Sequence, residues 1–344
     1  MGVIETKQGF APVETWLFPK PQGLWCEPGQ FFIDPRVAVD RAVITHGHSD
    51  HARPGHGCVL ATAETLAIMK VRYGEGCAGA FQPLALGEAI AVNGVGVRLA
   101  PAGHIWGSAQ VVLDYAGQRA VVSGDYKRAT DPTCVPFEVV ACDVFVTEAT
   151  FGLPVFRHEK AEHEILRLMA SIIEQPERAH LAGVYGLGKC QRLLKVLRLA
   201  GFDRPIYLHT ALVGLTELYR EFGQDFGDVR PVMEAAPEEV ATALVLCPPG
   251  SIGDRWSRRF ADPVTVFASG WMRTRGRVRQ SGVELPLVIS DHADWPELID
   301  TIVETGASEV WVTHGRDDAL VRQMELMGIR GRALALVGRE DEGD

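Results

Sequence analysis

Apolar residues in the first half of the chain come in short runs split by Gly and Pro, at 41–45, 95–100, 110–115, 119–123 and 144–147. Their length and β-branched content predict strands. Several end in a polar side chain, the pattern of strands that deliver functional residues to loops along one sheet edge. Helical periodicity appears at 63–73, 162–175 and 191–200. Between about 160 and 285, helix-like runs alternate with strands such as 205–209 and 243–247, which predicts a parallel α/β unit of its own. The first style then returns, with a strand at 287–290, a helix at 296–305, a strand at 309–313 and a helix at 318–327. The expectation is a discontinuous outer domain, residues 1–160 and 285–344, interrupted by an insertion at 161–284.

Composition adds bounds. A chain of 344 residues with 47% hydrophobic and 23% charged residues suits a globular protein of about two domains. No apolar run reaches the roughly 18 residues of a membrane-spanning helix, and the polar N-terminus lacks a signal-peptide stretch. Seven scattered cysteines with no Cys-x-x-Cys pair read as free thiols of a reducing cytoplasm. The net charge of −10 argues against a surface that attracts nucleic acid everywhere. Local charge differs: from Asp254 to Arg279 there are seven arginines (255, 258, 259, 273, 275, 277 and 279) and two acids.

The densest chemistry follows the run at 41–45, in His46-Gly-His48-Ser-Asp50-His51. In an extended segment His46 and His48 project to one side. After a turn, Asp50 and His51 can face a second point, so one loop can feed two metals. A closed structural zinc site takes four protein ligands, usually Cys or His. Nitrogen and carboxylate donors without cysteine suit a catalytic ion that keeps a position for water. Later runs close on His104 (Pro-Ala-Gly-His), Asp125 (Ser-Gly-Asp) and His314 (Thr-His-Gly). Singly each reads as an ordinary hydrogen-bonded side chain; the repeated setting, strand then glycine-flanked ligand, joins them.

This order of motifs resembles the metallo-β-lactamase superfamily over nearly the whole chain. The resemblance implies an α/β fold, an αβ/βα sandwich with two divalent metals at its edge, zinc first and manganese as the alternative. It assigns His46, His48 and His104 to one metal, Asp50, His51 and His314 to the other, and Asp125 to both. Asp34 matches an acid that orients the histidine loop from behind. Two ions about 3.5–4 Å apart activate a water and stabilise both oxygens of an in-line displacement. The segment from Val146 through Glu148 to Gly152 resembles the acidic motif of the β-CASP nucleases. Ser290-Asp-His292-Ala-Asp294 resembles their downstream histidine motif, and the insertion matches their inserted β-CASP domain. The resemblance implies that Glu148 holds His292, which protonates the leaving oxygen. A carboxylate keeps an imidazole protonated near neutral pH, and a leaving alkoxide needs a proton. Asp50, Glu148 and His292 are therefore the candidate catalytic residues.

Residues 23–28 (GLWCEP), the Ala-Arg-Pro-Gly after His51, and residues 267–272 (FASGWM) are similar to bacterial ligase-associated DNA exonucleases. That resemblance implies a cytoplasmic exonuclease in DNA repair, with nucleic acid as substrate, a DNA ligase and a helicase as partners, and no membrane. His314 instead matches RNA-processing members, so a β-CASP ribonuclease is the second reading. A small-molecule metallo-hydrolase is the third.

Two further features concern substrate. Residues 183–190 (GVYGLGKC) nearly spell a Walker A loop, but Cys190 stands where Ser or Thr binds magnesium. A glycine-rich helix start with a lysine still suits a phosphate, so Lys189 and Gln191 are candidate backbone-phosphate contacts. Arg273, Arg275 and Arg277 alternate; in an extended segment they share one face, as a phosphate clamp or a solvated edge. Trp271 is placed to stack a base or to pack in the core.

Overall fold

The structure, a computed structural model, describes residues 11–315 and 317–334. The first sheet runs in chain order: β1 (Leu17–Lys20), β2 (Gly23–Cys26), β3 (Phe31–Ile33), β4 (Arg41–Val43), β5 (Cys58–Ala61) and, after helix α1 (Ala63–Tyr73), β6 (Phe81–Pro83). The chain then builds β7 (Ala89–Val92), β8 (Val95–Pro101), β9 (Ala109–Tyr115), β10 (Gln118–Val122) and β11 (Val144–Ala149). Next comes an alternating stretch: α2 (Ala161–Glu174), β12 (His180–Gly183), α3 (Lys189–Leu199), β13 (Ile206–Leu208), α4 (Thr210–Glu221), β14 (Val229–Pro231), α5 (Pro237–Val240), β15 (Leu244–Cys247), β16 (Val264–Ala268), α6 (Arg275–Ser281) and β17 (Leu285–Leu287). Finally α7 (Trp295–Thr305), β18 (Glu309–Gly315), α8 (Asp317–Leu326) and β19 (Arg330–Ala333) return to the earlier body.

The return is visible in the pairing. β18 lies parallel to β11, with Val144 opposite Glu309, and completes a second sheet of order β19-β18-β11-β10-β9-β8-β7. Alternation explains how the first two sheets stack. Val95, Val97 and Leu99 of β8 and Val111 and Leu113 of β9 point inward and meet Leu17, Leu24, Phe31 and Ile33 of the first sheet. The outer faces are covered by helices: α1 through Leu66 and Met69 on the first sheet, α7 and α8 through Leu298, Ile302, Leu320 and Met324 on the second. The layers are therefore helix, sheet, sheet, helix.

Residues between β11 and α7 form a third, wholly parallel sheet of order β14-β13-β15-β12-β16-β17. Helices α2, α3 and α4 pack on one face of it through Ile165, Leu168, Leu193, Leu197 and Leu212. The expected strand at 287–290 lies instead at Leu285–Leu287 and pairs with β16, so this sheet takes the residues placed at the start of the returning outer domain. The expected extended run at 271–279 is also corrected. Ser269 accepts from the Trp271 amide and starts a 3-10 turn, Gly270–Arg273, and α6 follows, closed by Gly282 at φ 65°. No helix among the described residues is long and apolar enough to cross a membrane.

Candidate metal centre and active site

The chemistry sits where strands of both bodies end. The histidine loop leaves the carboxyl end of β4; His104 and Asp125 follow β8 and β10; Glu148 and His314 lie within β11 and β18, near their carboxyl ends. The β11–β18 register shifts between Thr147 and Ala149, an irregularity that re-aims Glu148. Gly124 adopts φ 58°, and a Cβ there would stand 2.7 Å from the Thr45 side chain. Only glycine lets Asp125 approach beneath the histidine loop.

All seven sequence-predicted ligands converge. His46 Nε2 lies 3.1 Å from His48 Nδ1, and His104 Nε2 lies 3.0 Å from the same atom. Asp125 Oδ2 is 3.4 Å from His46 Nε2, 3.5 Å from His51 Nε2 and 3.8 Å from His104 Nε2. Its Oδ1 is 3.3 Å from His314 Nε2 and, though buried, has no hydrogen-bond partner. Asp50 Oδ2 is 3.4 Å from His51 Nε2. Three groups share Asp125: His46–His48–His104–Asp125, Asp50–His51–Asp125 and Asp125–Glu148–His314.

Proton positions test whether these donors fit a cation. A carbonyl oxygen only accepts, so His104 Nδ1 donates to the Asp291 carbonyl at 2.7 Å and His48 Nε2 donates to the Leu187 carbonyl at 3.2 Å. Thr45 gives its hydroxyl proton to Asp34 Oδ2 at 2.7 Å and accepts from His46 Nδ1 at 3.1 Å. The three facing nitrogens then carry lone pairs, which cannot hydrogen-bond to one another. Burial, with the charge of His51, pushes His46 down to about 4, and burial with the neighbouring His292 pushes His104 well down, so both rings are neutral ligands at neutral pH. Ligands of a tetrahedral ion with bonds of about 2.0–2.1 Å lie roughly 3.3 Å apart, close to the spacings seen here. The donor set fits divalent metal.

Asp34 stands behind this loop with both oxygens engaged. It takes the Thr45 amide at 2.8 Å, the Thr45 hydroxyl, and His51 Nδ1 at 2.7 Å, and sits at φ 44°. Next to the ligands, His292 Nδ1 lies 2.9 Å from Glu148 Oε2, and its ring centroid is 4.7 Å from that of His104. Glu148 is fixed in turn by the Tyr126 amide at 2.8 Å and the Thr150 hydroxyl at 2.6 Å.

A cleft of about 860 Å³ opens over these groups. Its floor carries His48, Asp50, His104, Asp125, His292 and His314; its wall is made by residues at the carboxyl ends of β12, β13, β15 and β16, among them Tyr185, Thr210, Pro248 and Trp271. In open parallel sheets the carboxyl ends of strands line ligand crevices. The Trp271 ring packs on Phe151 at 4.8 Å and also lines the cleft.

The expected phosphate contacts fare differently. Lys189 is 1% exposed, donating to the Ile289 carbonyl at 3.0 Å and pairing with Asp291 at 3.4 Å. Gln191 is fully buried; it accepts from the Gly188 amide at 2.8 Å and donates to Gly186 and Thr216. Both face inward, and the Gly188 amide at the helix start is already taken by Gln191. Arg273, Arg275 and Arg277 are exposed on the 3-10 turn and α6, not along one extended face, and only Arg277 reaches a cleft residue, 5.1 Å over Trp271.

A buried ion network escaped the sequence reading. Lys127 pairs with Asp131 at 2.7 Å, and Asp291 meets Arg192 at 3.0 Å and Lys127 at 3.8 Å. Arg192 also donates to the Ser290 carbonyl. Asp291 stood inside a recognised motif; Lys127 and Arg192 carried no signal.

No family model matches the chain. The chain is 26% identical over 323 residues to a probable DNA ligase of Opitutus terrae, covering 93% of this chain and 31% of that one, so it spans about a third of that relative's length. It is 25% identical to a ribonuclease of Thermus thermophilus, covering 89% of this chain and 88% of the other. A stretch of 113 residues is 34% identical to an endoribonuclease of Aspergillus fumigatus, 31% of this chain and 12% of that one. The fold is similar to that of a protein of unknown function from Enterococcus faecalis, with a TM-score of 0.58 at 13% identity, over 87% of this chain and 79% of that one. Relatives named as nucleases support a hydrolase acting on nucleic acid, and the clustered His and Asp side chains can bind metal ions.

Proposed function

We propose that the protein is a two-metal phosphodiesterase of the metallo-β-lactamase fold, with residues 161–284 as an inserted β-CASP domain, and that it degrades DNA as an exonuclease. The carrying observation is the set of facing lone pairs on His46, His48 and His104, beside a Glu148–His292 pair on the floor of the same cleft. His46, His48, His104 and Asp125 would hold one ion and Asp50, His51, His314 and Asp125 the other, zinc being the best match to nitrogen and carboxylate donors. When bound, the ions supply an activated water and charge stabilisation for the transferring phosphoryl group. The chain's own residues do the rest. Glu148 fixes His292 through Nδ1, which turns the opposite edge of the ring to the leaving oxygen and lets it hold the departing group's proton.

DNA is preferred to RNA on the resemblance of residues 23–28 and 267–272 to bacterial ligase-associated DNA exonucleases and on the relative named a probable DNA ligase; the same resemblance motivates a ligase and a helicase as partners. A ribonuclease is the alternative, supported by the Thermus relative. All seven cysteines are free, in keeping with a reducing cytoplasm. The test is end-labelled DNA and RNA with protein of measured metal content. We expect about two ions per chain, loss of cleavage on chelation and recovery with zinc or manganese. His292→Ala should lower turnover by roughly two to four orders of magnitude, the usual range for general acid catalysis, at unchanged metal content. Full activity in metal-free protein sinks the proposal; loss of an ion in the variant makes His292 a ligand.

A further inference from the structure

We infer that single-stranded nucleic acid leaving the cleft is held by a second site on the insertion, formed by His209, Trp256, Arg255, Arg258 and Arg259. The inference rests on the nuclease reading above and extends it beyond the residues that touch the reacting phosphate.

The site is the continuation of the cleft wall. Thr210 and Ala211 line the cleft, and His209 directly precedes them at the carboxyl end of β13. The His209 side chain accepts from the Ala211 amide at 3.1 Å, which fixes the ring. Trp256 stands edge-on to that ring at 4.6 Å. It comes from the loop after β15, the same loop that gives Pro248 to the cleft. Arg259 lies over the indole, 5.4 Å from its centre, and donates to the Trp256 carbonyl at 3.2 Å. The result is a half-exposed indole with a histidine and a guanidinium beside it, one ring away from the cleft.

Charge points to the occupant. Some guanidinium groups of this unit are paired, Arg178 with Asp262 and Glu284, Arg220 with Glu217 and Arg230 with Asp228, whereas exposed Arg204 and the arginines of α6 form no ion pair among the described residues. Arg255, Arg258 and Arg259 are exposed and form no ion pair among the described residues. The patch also holds one acid, Asp254, which accepts from the Trp256 amide at 2.6 Å, so three arginines face a single carboxylate. A chain of net charge −10 that concentrates three unpaired arginines around an indole presents a surface for a polyanion with flat bases. Backbone phosphates pair with the arginines while a base stacks on the tryptophan, the combination single-strand binding uses. A duplex keeps its bases inside and gains nothing from the indole.

The experiment compares a trinucleotide, which fills only the cleft, with a 15-residue oligothymidylate, which crosses the patch. The variants are Arg255→Gln/Arg258→Gln/Arg259→Gln, whose side chains lie on the surface, and Trp256→Leu, which keeps apolar packing against Phe260. With the loaded enzyme, kcat/KM on the trinucleotide should match wild type for both. On the 15-mer, Trp256→Leu should lose roughly ten-fold, within the range for a stacked base. The triple variant should flatten the slope of log Kd against log salt by about 2, from three phosphate contacts at roughly 0.7 each. Equal behaviour of variants and wild type on both lengths overturns the second site and leaves the nuclease reading standing. Equal loss on both lengths also overturns it, because the residues then support the cleft itself. Wild-type protein that cleaves neither oligomer yet turns over bis-p-nitrophenyl phosphate removes the nuclease reading and the site with it.

Discussion

At the scale of single residues, Asp34 shows how little freedom the centre has. Among the described residues the Thr45 amide, the Thr45 hydroxyl and His51 Nδ1 reach its two oxygens, and its backbone sits at φ 44°, a conformation that costs a non-glycine residue energy. The surrounding bonds hold it there because they settle the protons of two ligands at once. Asp34 takes the proton of His51 Nδ1 directly and that of the Thr45 hydroxyl, which frees Thr45 to accept from His46. Asp34→Asn replaces one acceptor oxygen by a donor and must break one of these contacts. Metal affinity should fall by roughly 10- to 100-fold, as for other groups that orient a ligand from behind, while the far-UV spectrum stays native. Competition titration with a chromophoric zinc chelator reads this directly, and unchanged affinity would reduce Asp34 to a packing residue.

At the scale of elements, the histidine loop was legible because its ligands are local in sequence, and the later ligands were legible because each follows a strand of clear apolar pattern. Helices α1, α2 and α7 were readable because each keeps an exposed side, whereas α3 is buried nearly all round. The misreadings share a cause. β17 has three residues, one of them Pro286, too few to show a period, and its partnership with β16 is set by the third sheet alone. In 271–279 the arginines alternate, which mimics a strand, but caps at both ends override the alternation. Helical geometry changes the expected chemistry. Arg275 and Arg279 share a helix face away from Arg277, the one arginine that meets the cleft through Trp271. Arg277→Ala should therefore weaken oligonucleotide cleavage several-fold, as loss of an exposed cation–π pair and one phosphate contact implies. Arg275→Ala should stay within two-fold of wild type by the same reasoning. Steady-state kinetics on one substrate decides it; equal losses would restore the clamp read from the sequence.

At the scale of the whole molecule, the insertion and the metal-bearing body are joined by a buried set of charges. Lys189 and Arg192 come from α3, Lys127 and Asp131 from the segment after β10, and Asp291 from the loop that also carries His292. Gly188, just before α3, adopts φ 84°, and a Cβ there would meet Ile105 at 2.3 Å, so the helix start presses directly on the segment after His104. Three cations serve two carboxylates, and this asymmetry ranks the substitutions. Lys189→Met removes one cation and leaves Asp291 paired with Arg192 at 3.0 Å. Its cost is mainly the orphaned Ile289 carbonyl, about 1–3 kcal/mol. Asp291→Asn leaves three buried cations with Asp131 alone, and removing one partner of such a set costs about 3–5 kcal/mol. Urea denaturation should thus place the midpoint of Asp291→Asn well below that of Lys189→Met, with both below wild type. Activity should follow a different order from stability, because the Asp291 carbonyl also receives His104 Nδ1. A loop loosened by the lost carboxylate shifts His104 and His292 together, so Asp291→Asn should lose turnover under conditions where it is still folded. Lys189→Met, with the loop still clamped by Arg192, should retain it. A Lys189→Met protein that is folded but inactive on every substrate would show that this lysine acts on the reaction rather than on the join between the two bodies.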